Sequence, residues 1–308
     1  MCPHCGSSVS WQLRDGRRSC GGCGRRVSAT AGTIFHHTRT PLTVWFATAW
    51  HLTSQKGGVS AMGLQRVLGI GSYQTAWAML HRYRTAMVRS GRERLSGQVE
   101  VDETFIGGPK SGKPGRGAFG KAIVAVAVEQ LQPKGFGRCR LAVIPNVKGP
   151  TLRAFLLANV EPGSSIISDG YSSYPPATLA DYVHRPINVK ASGVQAHLVL
   201  PGVHRVASLI KRWLLGTHHG AIEADHLQAY LDEFAFRFNR RKSATRGMLF
   251  YRLLEQAVAT KPTTYGDLVA VSRPKRIKPV PPTSRRTGPD TLAGVPLDRP
   301  WRITEGAA

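Results

Sequence analysis

The chain has 308 residues, 42% of them hydrophobic, and carries 42 Lys and Arg against 18 Asp and Glu, a formal net charge of +24. That length suits about two domains of ~100–200 residues, and 33 Gly with 20 Pro are too few for a fibrous repeat. The longest near-continuous apolar stretch, Ala122–Val128, is far shorter than the ~20 residues a membrane span needs.

Met1-Cys2-Pro3-His4 opens no charged-then-apolar export signal, so a cytoplasmic chain is expected. The positive excess is +11 over residues 1–95, +8 over 96–270 and +5 over 271–308. Charge of this sign and size, spread along the chain, points to a nucleic-acid partner, whose phosphates it would neutralise.

Four of the five cysteines stand as Cys2-Pro3-His4-Cys5 and Cys20-Gly21-Gly22-Cys23, with fourteen residues between the pairs. Each pair can grip one side of a tetrahedral Zn²⁺, and four thiolates close the shell, so the metal is structural. A cytosolic compartment argues against disulfides. Gly6 and Gly24 follow each pair where the knuckle bends, and Val9–Leu13 with Arg17–Ser19 predict a small hairpin. The result is a zinc ribbon over residues 1–30. His4 is left out of the shell, and Cys139, alone in an apolar run, is expected in the core. Arg14, Arg17, Arg18, Arg25 and Arg26 would make the ribbon a basic knob suited to gripping nucleic acid.

From Pro41 the period becomes helical, with Val44, Trp45, Ala49 and Leu52 at three- and four-residue steps before Gly57-Gly58. Ser60 is placed to cap a second helix through Val67, and Ser72 a third from Tyr73 to about Val88. The third would offer Gln74, Thr75, His81, Arg82 and Arg84 on a polar face. Residues 38–95 therefore predict a helix-turn-helix-like DNA-binding segment.

After Ser96 the pattern turns to β. Val99–Val101 leads into Asp102-Glu103-Thr104, Lys121–Glu129 and Cys139–Ile144 are two further strands, Thr151–Ala158 is a helix, and Ser164–Ser168 is a fourth strand ending at Asp169-Gly170-Tyr171. Three strands, a helix and another strand is the order of a ribonuclease-H-like α/β fold, a mixed sheet flanked by helices, expected over residues 96–260. The first and fourth strands are neighbours there, so Asp102 and Asp169 should converge. Two adjoining carboxylates favour a cation between them, a cage for Mg²⁺ or Mn²⁺ of the two-metal kind used in phosphoryl transfer.

Four strings carry a resemblance: Val-Glu-Val-Asp-Glu-Thr-Phe-Ile-Gly-Gly (99–108), Ser-Asp-Gly-Tyr (168–171), Ser-Leu-Ile-Lys-Arg-Trp-Leu-Leu-Gly-Thr-His (208–218) and Tyr-Leu-Asp-Glu-Phe-Ala-Phe-Arg-Phe-Asn-Arg-Arg (230–241). Over residues 1–258 the chain resembles bacterial insertion-sequence transposases of the DDE class, from the group with an N-terminal zinc ribbon. The resemblance implies action on insertion-element DNA, two catalytic aspartates and a third acidic residue on a late helix.

At that third position the chain departs from the pattern, because counting four back from Ser208 gives His204 in place of Glu. Lys211 follows seven residues later, nearly two helical turns on and about 10 Å along the same face, while Val203, Val206, Ala207, Ile210 and Leu214 form the core-facing stripe. Neutral imidazole at His204 can ligate Mn²⁺ better than Mg²⁺, or act as base or donor at the scissile phosphate. A degraded, inactive copy is the alternative.

The rival third ligands are Glu103, Glu223 and Glu233. Glu103 should alternate to the opposite sheet face from Asp102, and Glu233 is expected to face solvent on a helix burying Leu227, Tyr230, Leu231, Phe234 and Phe238. Glu223, in the loop before that helix, ranks first among the three. Arg212, Arg237, Arg240 and Arg241 are candidate phosphate contacts, and Gly107-Gly108 with the Lys110–Arg116 loop could let DNA approach the backbone. From Val271 the tail has seven prolines and no apolar period, which predicts a disordered basic extension over 271–308.

The expected activity is metal-dependent cleavage and strand transfer on double-stranded DNA, at terminal inverted repeats and then at target DNA. Pairing two ends would require a homodimer or larger assembly. A zinc-ribbon DNA-binding regulator is the second reading, and a nuclease of RNA–DNA hybrids the third.

Overall fold

A computed structural model describes residues 1–270 except 3, 108–120, 171–177, 188–192, 194, 221 and 246, together with the backbone but not the side chains of 196 and 197. The expected tail, 271–308, and the Lys110–Arg116 loop lie outside the described residues.

The N-terminal segment forms three short antiparallel strands, β1 (Ser10–Gln12), β2 (Arg18–Cys20) and β3 (Arg26–Val27), in that order. The hairpin expected from Val9–Leu13 and Arg17–Ser19 is therefore present, with β3 as an addition that two residues could not announce.

Three helices follow, α1 (Leu42–Ser54), α2 (Ala61–Leu68) and α3 (Tyr73–Ala86). The expected caps are made, since Ser60 accepts the Gly63 N–H and Ser72 the Thr75 N–H, each at 3.1 Å. These helices bury Trp45, Leu52, Leu64, Met79 and Tyr83 in a core that also takes Leu253 and Ala257 from a late helix, α8 (Gly247–Ala259), so the segment closes its core with chain from far downstream.

The central sheet runs β6-β5-β4-β7-β8. Strands β4 (Gln98–Ile106), β5 (Ala122–Gln130) and β6 (Phe136–Ile144) form an antiparallel meander; α4 (Gly149–Asn159) then crosses over so that β7 (Ser165–Ser168) lies parallel to β4. The strand β8 (Val183–Pro186) pairs parallel to β7 and is a further addition to the expected elements.

One face of the sheet packs Val99, Val101 and Ala127 on Leu152, Phe155 and Leu156 of α4. The other packs Val124, Val126 and Val128 on α6 (Pro201–His218), entered through the short α5 (Ala196–Val199), and on α7 (Leu227–Asn239). A last helix, α9 (Tyr265–Ala270), closes the described chain. This is the mixed α/β, ribonuclease-H-like arrangement read from the sequence. No helix among the described residues is long and apolar enough to cross a membrane.

Candidate functional site

The four N-terminal cysteines converge. Their sulfurs all lie within 4.8 Å of one another, with Cys2 to Cys23 at 3.7 Å and Cys5 to Cys20 at 3.5 Å. A tetrahedron of Zn–S bonds of about 2.3 Å has sulfur–sulfur edges of about 3.8 Å, so the set fits zinc without rearrangement. The backbone N–H of Cys23, and then that of Gly22, pull the Cys20 thiol down to about 6, whereas the neighbouring sulfurs hold Cys5 up at about 12 against the Ser7 backbone bond. Four such sulfurs cannot all ionise side by side without a cation, which is the electrostatic signature of a metal shell. His4 points away from it, its Nδ1 at 2.9 Å from Arg25.

In the sheet, β4 and β7 run parallel in the register Gln98↔Ser165, Val99↔Ile166 and Glu100↔Ile167. Asp102 stands two residues beyond the last of these pairs on β4, and Asp169 two residues beyond it on the β7 side, immediately after the end of that strand. Alternation assigns the face: Val99 and Val101 meet α4, so Glu100 and Asp102 point to the α6 side, and Glu103 to the opposite one. Asp102 accepts the Glu103 N–H at 2.8 Å, and Ser168, just before Asp169, bonds His184 of β8 at 2.9 Å while accepting the Gly170 N–H.

Glu100 was not singled out by the sequence, yet it moors α6. It is fully buried, and its carboxylate accepts the Val203 N–H at 2.9 Å in the first turn of that helix and a bond from the Gln130 amide. Burial raises its pKa, and these donors offset part of the rise. Gly202 makes the approach possible, because a Cβ there would sit 2.9 Å from Glu100 Oε2 and 3.0 Å from the Phe136 ring. His204 is the next residue but one, half-buried in the first turn of α6. The only sequence clue to Glu100 was its place two before Asp102, on the same strand face.

Lys211 is exposed, and its pKa is lowered by partial burial and then by the charge of Lys121, just before β5. Two like charges at that edge would both be relieved by a phosphate. Asp102, Asp169 and His204 do not themselves close to the spacing of the cysteine set, for among the described residues only the cysteines bring three ligand atoms within 4.8 Å.

Two expectations need correction, the solvent-facing Glu233 and the polar face of α3. Glu233 does not face solvent; it is 0% exposed and binds Arg84 Nε at 2.9 Å and Arg237 Nη1 at 3.4 Å. The reason is that α7 is covered on two sides, by the sheet and by α3. Arg84 and His81, expected on a polar face of α3, are buried in the same seam, leaving Tyr73, Gln74 and Thr85 exposed on that helix. Arg237, Arg240 and Arg241 spend hydrogen bonds on backbone carbonyls of Gln55, Phe236 and Gly137 respectively. Glu223, with 75% of its side chain exposed, lies 3.9 Å from His226.

Asn239 gains a role, since its amide accepts the Cys139 N–H at 2.7 Å and donates to the Cys139 carbonyl at 3.1 Å, and so closes the outer edge of β6. Cys139 is a core residue, its thiol pushed up to about 12 by burial.

Residues 94–239 match the family described as the ISXO2-like transposase domain. A segment of 120 residues, 38% of this chain, is 25% identical to an uncharacterised transposase-like protein of Haemophilus influenzae and covers 96% of that protein. The resemblance drawn from the four sequence strings is thereby borne out over the central sheet and its helices: residues 94–239 are similar to the ISXO2-like transposase domain.

Proposed function

We propose that this transposase-domain protein cleaves DNA at the ends of an insertion element and transfers the freed strand to a target, with Asp102, Asp169 and His204 as its metal-binding set and Lys211 as a phosphate contact. The observation that supports the reading is the parallel pairing of β4 with β7, since Asp102 and Asp169 each follow its last pair, Glu100 and Ile167, by two residues. Carboxylate oxygens at a strand end, joined by an imidazole, are a donor set that suits Mg²⁺ or Mn²⁺. Divalent ions held there would supply charge stabilisation to the attacking and leaving oxygens.

The chain's own residues do the positioning. Glu100 ties the first turn of α6 to β4, so His204 is presented from a fixed helix end. Lys211, next to Lys121, would hold a non-bridging phosphate oxygen. The ribbon, with Arg14, Arg18, Arg25 and Arg26 exposed around the four cysteines, would grip DNA alongside the helical segment 38–95. With Tyr73 and Gln74 exposed in the first turn of α3, base contacts would come from these two side chains.

The test is a Mg²⁺- or Mn²⁺-dependent cleavage assay on the element's own flanking DNA. Asp102→Ala and Asp169→Ala should each abolish cleavage while leaving DNA affinity within about twofold, because base contacts and phosphate grip lie elsewhere. His204→Ala should lose cleavage and His204→Glu retain it. Binding by a parent that never cuts would favour the regulator reading, and full activity in His204→Ala would remove that residue from the set.

A further inference from the structure

Where the end of α1 meets α6, α7 and α8 there is a cavity of about 540 Å³, within the ~300–1,000 Å³ range of ligand pockets. Five of its lining side chains are cationic, Lys56, Arg212, Arg237, Arg240 and Arg241, and none is acidic. The nearest buried carboxylate, Glu233, is already shared by Arg84 and Arg237. The remaining wall is aromatic. Phe234 and Phe238 stack with centroids 5.8 Å apart and planes at 17°, Trp213 stands 6.0 Å from Phe234, and the Arg241 guanidinium lies 3.8 Å over Phe238.

The cavity is a built one. Trp213 Nε1 and Thr217 Oγ1 both donate to the Gly57 carbonyl, at 2.9 and 2.7 Å, and Arg237 donates to the Gln55 carbonyl at 2.6 Å, so the loop after α1 is pinned against α6 and α7. Gly58 sits in that loop at φ +73, where a Cβ would come 3.1 Å from Trp213 Nε1.

Cationic and aromatic groups together fit an occupant that has both an anionic and a flat aromatic part. Neither a bare phosphate nor an apolar peptide uses both. We propose that the cavity receives one unpaired nucleotide of the bound DNA, its base against the Trp213 and Phe234 rings and its phosphate against Arg212 and Lys56. Placement favours a nucleotide in the strand over a free one. Arg212 lies eight residues beyond His204 on α6, about 12 Å along the axis and about 80° round it, so a strand held at His204 passes the cavity within a few nucleotides. This inference rests on the DNA-transposase reading.

Anisotropy titrations of the full chain would compare a fully paired fluorescein-labelled duplex with the same duplex carrying one bulged 2-aminopurine, which spares the cost of unpairing. The parent should bind the bulged duplex at least about fivefold tighter, as one base–aromatic stack provides, with a change in 2-aminopurine emission. Trp213→Leu, or Phe234→Leu should the first fail to fold, should bring that ratio close to one while paired-duplex affinity holds within about twofold. Equal affinity of the parent for both duplexes, or an unchanged ratio in the variants, would overturn the pocket alone. Binding to neither duplex would overturn the transposase reading and this inference with it.

Discussion

Glu233 shows what a single residue does here. Arg84 is 1% exposed and Glu233 0%, and their charges stay in the interior because each is the other's partner, with Arg237 as a third. Tyr230 adds its ring face, 3.9 Å from the Arg84 guanidinium. Removing only the acid strands a buried cation, which costs far more than the pair itself contributes. Glu233→Leu should therefore lower unfolding free energy by about 3–5 kcal/mol in urea titrations, and Arg84→Leu combined with Glu233→Leu should recover most of the loss. A double variant no more stable than the single one would show that the pair is not the cause. A helical wheel alone put Glu233 outside, because it assumes one buried face per helix, whereas α7 has two.

Among elements, the seam between α3, α6 and α7 is the most unusual. His81 packs its ring against Trp77 at 4.0 Å, His226 at 5.2 Å and Tyr230 at 5.5 Å, and His218 lies 4.8 Å from Tyr230. Burial, and then the positive charge of Arg84, pull His81 down to about 2 and His218 to about 3. Both rings are neutral in the folded chain at pH values where the unfolded chain, with an ordinary value of 6.5, has taken up protons. Unfolding thus binds protons, so the stability due to this seam is complete above pH 6.5 and is lost as the pH falls toward those depressed values. Each histidine should contribute a slope of up to about 1.4 kcal/mol per pH unit within that window. Urea unfolding of His81→Phe between pH 7 and pH 4 should show a slope shallower by about one proton; an undiminished slope would mean that the folded chain protonates His81.

For the molecule as a whole, the question is how so small a ribbon holds its shape. Its strands span three, three and two residues, and among its described residues up to Val27 only Ser19 and Cys20 are buried. An apolar core of that size cannot offset the entropy of ordering the chain, so the fold of residues 2–27 should depend on metal. Mass spectrometry of the native chain should find one zinc, and a strong chelator or Cys23→Ser should release it. Hydrogen exchange should then show the ribbon amides losing protection while β4, β5 and β6 keep theirs, because the latter are held by two independent apolar cores. Protection of the ribbon in metal-free protein would contradict this account.

The sequence by itself determined the elements and most of their partners in kind. Spacing alone gave the cysteine cluster, period gave helices α1 to α3 with the caps of α2 and α3, and strand order with its crossover helix gave the sheet in which β4 and β7 are parallel neighbours. Those are local or topological properties, legible wherever a period or a motif is written along the chain. Tertiary structure decided the rest. That Glu100 moors α6, that Asn239 seals the edge of β6 and that Arg84 meets Glu233 depends on pairs separated by about a hundred residues or more. Contacts of that kind leave no period in the sequence, because each is fixed only when two packed surfaces bring one donor to one acceptor.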